Sequence, residues 1–317
     1  MAAPYTDLTA LANLVQTAYD QKVRLALRSV PSFRAIADTK PVQQTQPGSS
    51  VVFNIHQDLS PVTSPLGSDS IDPTGVSLSN STPITVTLQE YGNFTVVTKA
   101  LREFALDSAL DSNVANIIAY NLADSVDRII SNVMANATSV ITEEAGALVV
   151  TGADIDNILA TDTIKGRDIT FAVAALRGSS VVPFDGVSYV AYIHPAVARD
   201  LRAETGETGW RYVSGQNDTT VSNVLAGEIG TFEGVRFIET PRVPITGNAG
   251  NIPVFTTFVL GREALAEAVA QEFGVVADGT VVDPLKRKMA IGWYGIAGWN
   301  LFRPEALWAI KTASAVA

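Results

Sequence analysis

The chain contains no cysteine, which excludes structural disulfides, thiolate nucleophiles and Cys-ligated zinc or iron–sulfur centres. Histidine is nearly absent too: His56 and His194 are the only bases available to a nucleophilic triad. Charge is scarce. Charged residues make up 17% of 317, against about 25% in an ordinary soluble domain, while apolar residues reach 47%. A chain that keeps its whole surface in water normally carries more charge, so much of this surface is expected to be covered. The net charge of −10 repels phosphate and argues against a sequence-reading DNA-binding protein. No uninterrupted apolar run approaches the roughly 18 residues of a membrane span, and the start lacks the basic-then-apolar order of a secretory signal. Neither a membrane partner nor export is expected.

What is present falls into distinct stretches. Leu8, Leu11, Val15, Tyr19, Val23 and Leu27 recur at steps of three and four, which predicts a one-faced helix. Its end is basic: Lys22, Arg24, Arg28, Arg34 and Lys40 reverse the sign of an otherwise acidic chain, either as a solvated face or as contact with an anionic partner. Between Pro41 and Thr98 there is no lysine or arginine. Val51, Phe53 and Ile55 alternate in Ser50 to Asp58, and Ile84, Val86, Leu88, Phe94 and Val96 share a parity in Ile84 to Thr98, predicting two strands. Leu59 to Pro83 between them is rich in Ser, Pro, Gly and Asp, so the whole reads as a long hairpin. A two-stranded ribbon is marginal alone, and its apolar face must rest on its own domain or on another subunit.

Leu106, Leu110, Val114, Ile118, Leu122, Val126, Ile130 and Met134 form an unbroken i, i+4 row, which predicts one helix from Phe104 to Ala137, about 50 Å long at 1.5 Å per residue. Such a row drifts about 40° per step, so its apolar surface wraps around the helix and the helix should be gripped from several sides. The middle third alternates. Asp154 to Leu159, Asp168 to Arg177 and Pro195 to Glu204 read as helices, and Ser188 to Ile193, Gly234 to Glu239 and Val254 to Leu260 as strands. Met289 to Phe302 is apolar on both parities, with Trp293 and Trp299 on one face, and a turn at Arg303-Pro304 leads into Ala306 to Lys311.

No catalytic constellation emerges. His194 precedes Pro195 at a strand end, where catalytic groups do occur, but no G-x-S-x-G elbow accompanies it. Neither phosphate-binding glycine pattern occurs, and Gly292, Gly295 and Gly298 among the tryptophans read as close packing. The acidic pairs Glu143-Glu144, Asp154/Asp156 and Asp69/Asp72 read as solvated charge and lack the ordered ligand series of a calcium loop, so no metal or cofactor is expected.

The order of parts carries a resemblance. Its specific pieces are Tyr192-Ile193-His194-Pro195 followed by Asp200-Leu201, then Gly227-Glu228-Ile229-Gly230 leading into Glu233-Gly234-Val235-Arg236-Phe237-Ile238-Glu239-Thr240, and Phe302-Arg303-Pro304-Glu305-Ala306. The chain resembles the major capsid proteins of tailed bacteriophages, with the Johnson (Hong Kong 97-like) fold, and the capsid family of N4-type and actinobacterial phages in particular. The resemblance implies an α+β fold divided into an N-terminal arm (1–49), an extended hairpin loop (50–98), a peripheral domain with the spine helix (99–150 and 263–317) and an axial domain (151–262). It further implies a structural subunit, not an enzyme, that forms hexamers and pentamers of an icosahedral head enclosing double-stranded DNA, assembled in the host bacterial cytoplasm. The basic arm would face inward, and the hairpin would overlap a neighbour. Partners would be further copies of the chain, a separate scaffolding protein, a portal and a decoration protein. A hairpin lysine forms a covalent crosslink in some relatives, whereas Leu59 to Pro83 has none. An encapsulin-like compartment shell, and a two-domain hydrolase using His194, stay open as alternatives.

Overall fold

The long apolar row becomes helix α2, Leu110–Met134, preceded by the short helix α1, Lys99–Phe104. The structure is a computed structural model that describes residues 32–41, 48–55, 59, 61–63, 65, 77, 82–104, 110–150, 154–204, 228–279, 285 and 287–316. Lys22, Arg24, Arg28, His56 and Leu106 lie outside these residues, as does the side chain of Leu110. Of the expected helix, Phe104 falls at the end of α1 and Leu110–Met134 form α2, residues 105–109 lying outside the described residues; α2 stops three residues short of Ala137. There the backbone N–H groups of Asn136 and Ala137 donate to carbonyls only three residues back, at Val133 and Met134, which tightens and ends the last turn. Ile118 packs with Val97, Ile291 and Trp293, and Val114 and Leu122 are partly buried against that group. One to three turns on, Val126, Ile130 and Met134 join a different and larger core. The drifting row thus lets one helix serve two cores.

The strands, in chain order, are β1 Asp38–Pro41, β2 Ser50–Ile55, β3 Thr82–Thr87, β4 Gln89–Thr98, β5 Ser139–Glu144, β6 Ala147–Val150 and β7 Tyr189–Ile193. They continue with β8 Glu228–Phe232, β9 Val235–Glu239, β10 Ile245–Gly247, β11 Pro253–Leu260, β12 Leu265–Gly279, β13 Lys288–Leu301 and β14 Leu307–Thr312. Three sheets result: a ribbon β2-β3, a four-stranded sheet β1-β12-β13-β4, and an eight-stranded sheet β6-β5-β14-β11-β7-β9-β8 with β10 beside β11. The eight-stranded sheet draws strands from both sides of the expected 150/151 and 262/263 divisions. Helices α3, Gly166–Gly178, and α4, Pro195–Ala203, follow in the same region.

Two expectations need correction. Ile84 to Thr98 is not one strand: it breaks at Leu88, and β3 stays in the ribbon while β4 joins β13 in another sheet. In β4 Val97 is buried with Ile118, Ile291 and Trp293 on the side of α2, whereas Phe94 and Val96, expected on the apolar face, lie on the other side in register with Gly292 and Ala290 and are exposed. Asp154 to Leu159 holds only a 3-10 turn, Ile155–Asn157, because the Asp154 side chain accepts the Asp156 N–H and closes a local turn in place of a helix.

Candidate assembly surfaces

The ribbon keeps the expected register. Val51 faces Val86, Phe53 faces Ile84 and Ile55 faces Thr82. Its apolar face rests, at the base, on this same chain. Val86 is fully buried against Ala266 and Ala268, with Val51, Phe53, Leu88 and Phe302 around it; Ile55 and Ile84 are half-buried. Phe53 meets Phe302 edge-on at 6.5 Å. Small residues under the ribbon make this close seat possible. A Cβ on Gly298 would stand 2.3 Å from the Thr87 carbonyl oxygen, so any larger residue would push the ribbon off the sheet. Gly292 and Gly295 are equally crowded, by Phe94 and Phe273, in line with the close packing expected of these glycines.

The end of the arm is pinned. Phe33 is fully buried, its ring 4.6 Å from Tyr192 and 6.5 Å from Phe258. The backbone N–H groups of Ser32 and Phe33 donate to Asp127 Oδ1 of α2 (3.0 and 2.7 Å), and the Tyr192 hydroxyl donates to the Ser32 carbonyl (3.1 Å). Asp127 is itself buried; burial raises its pKa, against the opposing hydrogen bonds from Phe33 and Arg242. Arg34, expected on an inner basic face, is engaged by its own chain: Nε donates to Glu267 and Nη2 to Glu272, each at 2.8 Å, and the guanidinium lies over the Phe273 ring. Partial burial works against its charge, but the Glu272 and Glu267 carboxylates outweigh it and raise the pKa. Lys40 lies in β1, opposite Ala268 of β12. Sequence reasoning missed this anchor because Asp127 looks like any polar residue beside an apolar row; a carboxylate next to Val126 on the buried side was the available signal.

His194 is a helix cap. Its Nδ1 accepts the Ala196 N–H (3.2 Å) at the start of α4, and its ring lies 4.6 Å from that of Phe255, tilted by 38°. Burial lowers its pKa, with the Glu239 charge opposing. On the same helix Asp200 Oδ2 accepts from the Ser314 hydroxyl (2.7 Å) and the Ala315 N–H (2.8 Å), clasping the end of β14. The second motif becomes the β8–β9 hairpin, turned by Glu233 and Gly234 at φ 51° and 80°, the left-handed pair that a two-residue hairpin requires. Glu143 corrects the solvated-charge expectation: it is fully buried, with Arg167 and Lys165 donating to it at 2.6 and 3.2 Å. Asp168 beside it is also buried. Its Oδ2 accepts the Lys165 N–H, and its Oδ1 has no N–H donor within hydrogen-bond range. Burial and then the hydrogen bond with Glu143 push its pKa up to about 8, so Asp168 holds a proton and Glu143 holds the charge. Among the described residues no group of three or more His, Asp or Glu is placed to hold a metal ion, and no helix is long and apolar enough to cross a membrane.

This arrangement is that of a structural subunit with covered and uncovered faces. The profile of the phage capsid protein family matches residues 6–306, nearly the whole chain, and the chain belongs to that family. Solved capsids share its fold. The capsid of Ralstonia phage GP4 aligns with a TM-score of 0.74 at 12% identity over 99% of this chain and 98% of that one. The Cyanophage Pam1 capsid gives 0.69 at 14% identity over 98% and 100%, and the capsid of the native GTA particle 0.61 at 15% identity over 98% and 100%. No curated protein matches the chain at a significant level. The protein is a major capsid protein, a subunit of the phage head shell that associates with its own kind in capsomers.

Proposed function

We propose that the chain builds pentamers and hexamers of an icosahedral head that encloses double-stranded DNA, performs no reaction, and assembles in the host bacterial cytoplasm with a separate scaffolding protein, a portal and a decoration protein. In this reading 1–49 is the arm, 50–98 the intersubunit hairpin, 99–150 with 263–317 the peripheral domain and 151–262 the axial domain. Lys22, Arg24, Arg28, Arg34 and Lys40 supply the inward charge that meets scaffold and then packaged phosphates, and Arg34 also serves the anchor of the arm. The observation that supports it is the ribbon. Its base is seated on this chain, while Leu59 and Val62 in the connection are exposed. Replacing residues 57–80 by a short Gly-Ser turn should leave a soluble chain with cooperative unfolding that forms few or unstable shells by electron microscopy. Normal shells would refute the intersubunit role of the hairpin.

A further inference from the structure

One edge of the eight-stranded sheet is fastened to the first turn of α3 through two buried carboxyl groups. β6 is the outermost strand there, and the β5–β6 turn has Ala145 and Gly146 at positive φ, 50° and 79°. The turn is held from outside the hairpin. Asp162 accepts the Ala145 and Gly146 N–H groups (2.8 and 2.9 Å), while Arg167 Nη2 and Lys165 Nζ donate to the Gly146 carbonyl (2.8 and 3.4 Å). The same two cations reach Glu143 of β5. Arg167 Nε lies 3.1 Å from Glu143 Oε1 and 3.6 Å from Asp168 Oδ1, so one guanidinium touches both carboxyl groups, and both of these are fully buried. The other charges nearby are engaged elsewhere. Asp162 also accepts the Leu159 N–H, Glu204 at the end of α4 accepts the Gly166 N–H (2.7 Å), and Asp200 of α4 holds Ser314, Ala315 and Arg199. Lys311 of β14 is in register with Thr142, and Thr142 bonds Glu144, so these three share the face of the sheet opposite to Glu143.

We propose that Glu143 and Asp168 act as a one-proton lock: with a single proton between them they hold the first turn of α3 on the β5–β6 hairpin, and loss of that proton loosens this joint while the centre of the sheet stays paired. Two adjoining buried carboxylates repel and are poorly solvated, so the second ionisation forces them apart. Glu143 cannot retreat, because β5 is paired with β6 on one edge and β14 on the other. The first turn of α3 therefore gives way, and Lys165 and Arg167 leave the Gly146 carbonyl with it. The hairpin turn then keeps Asp162, and β6, paired along one edge alone, frays before the inner strands. Burial and then the hydrogen bond with Glu143 raise the Asp168 pKa to about 8, which puts the release on the alkaline side: the lock is closed at lower pH and opens as pH rises past that value.

Hydrogen exchange of the unassembled chain, followed by mass spectrometry and divided by the intrinsic rate at each pH, reads the lock locally. As pH passes about 8, residues 144–150 should lose at least tenfold more protection than residues 254–260 of β11. Asp168→Asn, whose amide donates to Glu143 at every pH, should keep the hairpin protected throughout. No loss in the unaltered chain, an equal loss in the two strands, or the same loss in Asp168→Asn overturns the proposal. Glu143→Gln guards against a folding defect in that variant. It removes the second charge by another route, so the alkaline loss should vanish there too, and a persisting loss counts against the lock. Carbon NMR of chains labelled at the aspartate carboxyl groups gives an independent readout. One resonance should titrate with a midpoint near about 8 and be missing from Asp168→Asn, whereas titration of every aspartate in the ordinary acidic range overturns the proposal.

Discussion

The two large sheets differ in who covers them. In the eight-stranded sheet β7 is buried at every position and β11 at all but its first, so this chain alone closes both faces at the centre of the sheet. In the four-stranded sheet one face packs on α2, and the other alternates between the ribbon base and open apolar residues. A shell subunit needs both kinds: a body that folds without help, and a surface whose burial is deferred until a neighbour arrives.

The sharpest way to break this contrast is one aromatic on each sheet. Phe258→Ala, in the centre of β11, should cost about 3–5 kcal/mol of stability, whereas Phe94→Ala should change it by less than ~0.5 kcal/mol, both read by denaturant unfolding of the unassembled chain. Equal costs would mean that the open face is already closed within one copy. Next in size, Asp127→Ala strips the partners from the Ser32 and Phe33 N–H groups and one from Arg242; it should cost about 2–3 kcal/mol and raise hydrogen exchange at residues 33–41. An unchanged exchange pattern would show that the ring packing of Phe33 alone holds the arm.

A smaller effect is pH. Asp168 has a folded pKa raised from 3.8 to about 8, so the stability carried by its protonated form is complete below the ordinary aspartate range and shrinks as pH rises, being lost once pH passes about 8. Melting temperature should fall across that window, and Asp168→Asn should flatten the fall. Glu143 is shifted the other way, so its contribution is lost as pH drops below the ordinary glutamate range. Smallest of all for the monomer, Val96→Thr should leave unfolding unchanged within ~0.5 kcal/mol while weakening shells, a pairing of outcomes that a core residue would not give.

Periodicity made the isolated elements legible: the strands around Val51–Ile55 and Tyr189–Ile193, the helices over 168–177 and 195–203, and the two-sided burial of Lys288–Leu301 all follow from local alternation. β12 was not legible. Ala264-Leu265-Ala266-Glu267-Ala268 is a run of strong helix formers, and it is a strand from Leu265 on because β13 and β1 pair with it on both edges. Sequence by itself determined the apolar row of α2, the charge-poor composition, the lysine-free hairpin and the order of parts that resembles phage capsid proteins. Tertiary structure decided which parity of residues 89–98 faces the core, that Glu143 and Asp168 are buried together, that Arg34 is paired with Glu267 and Glu272, and that the Lys99 N–H reaches the Arg287 carbonyl. The physical reason is range. Period and propensity act over a few residues and are written in the local sequence, whereas the change of sheet at Leu88 or an ion pair across 233 positions depends on which distant strand arrives beside it.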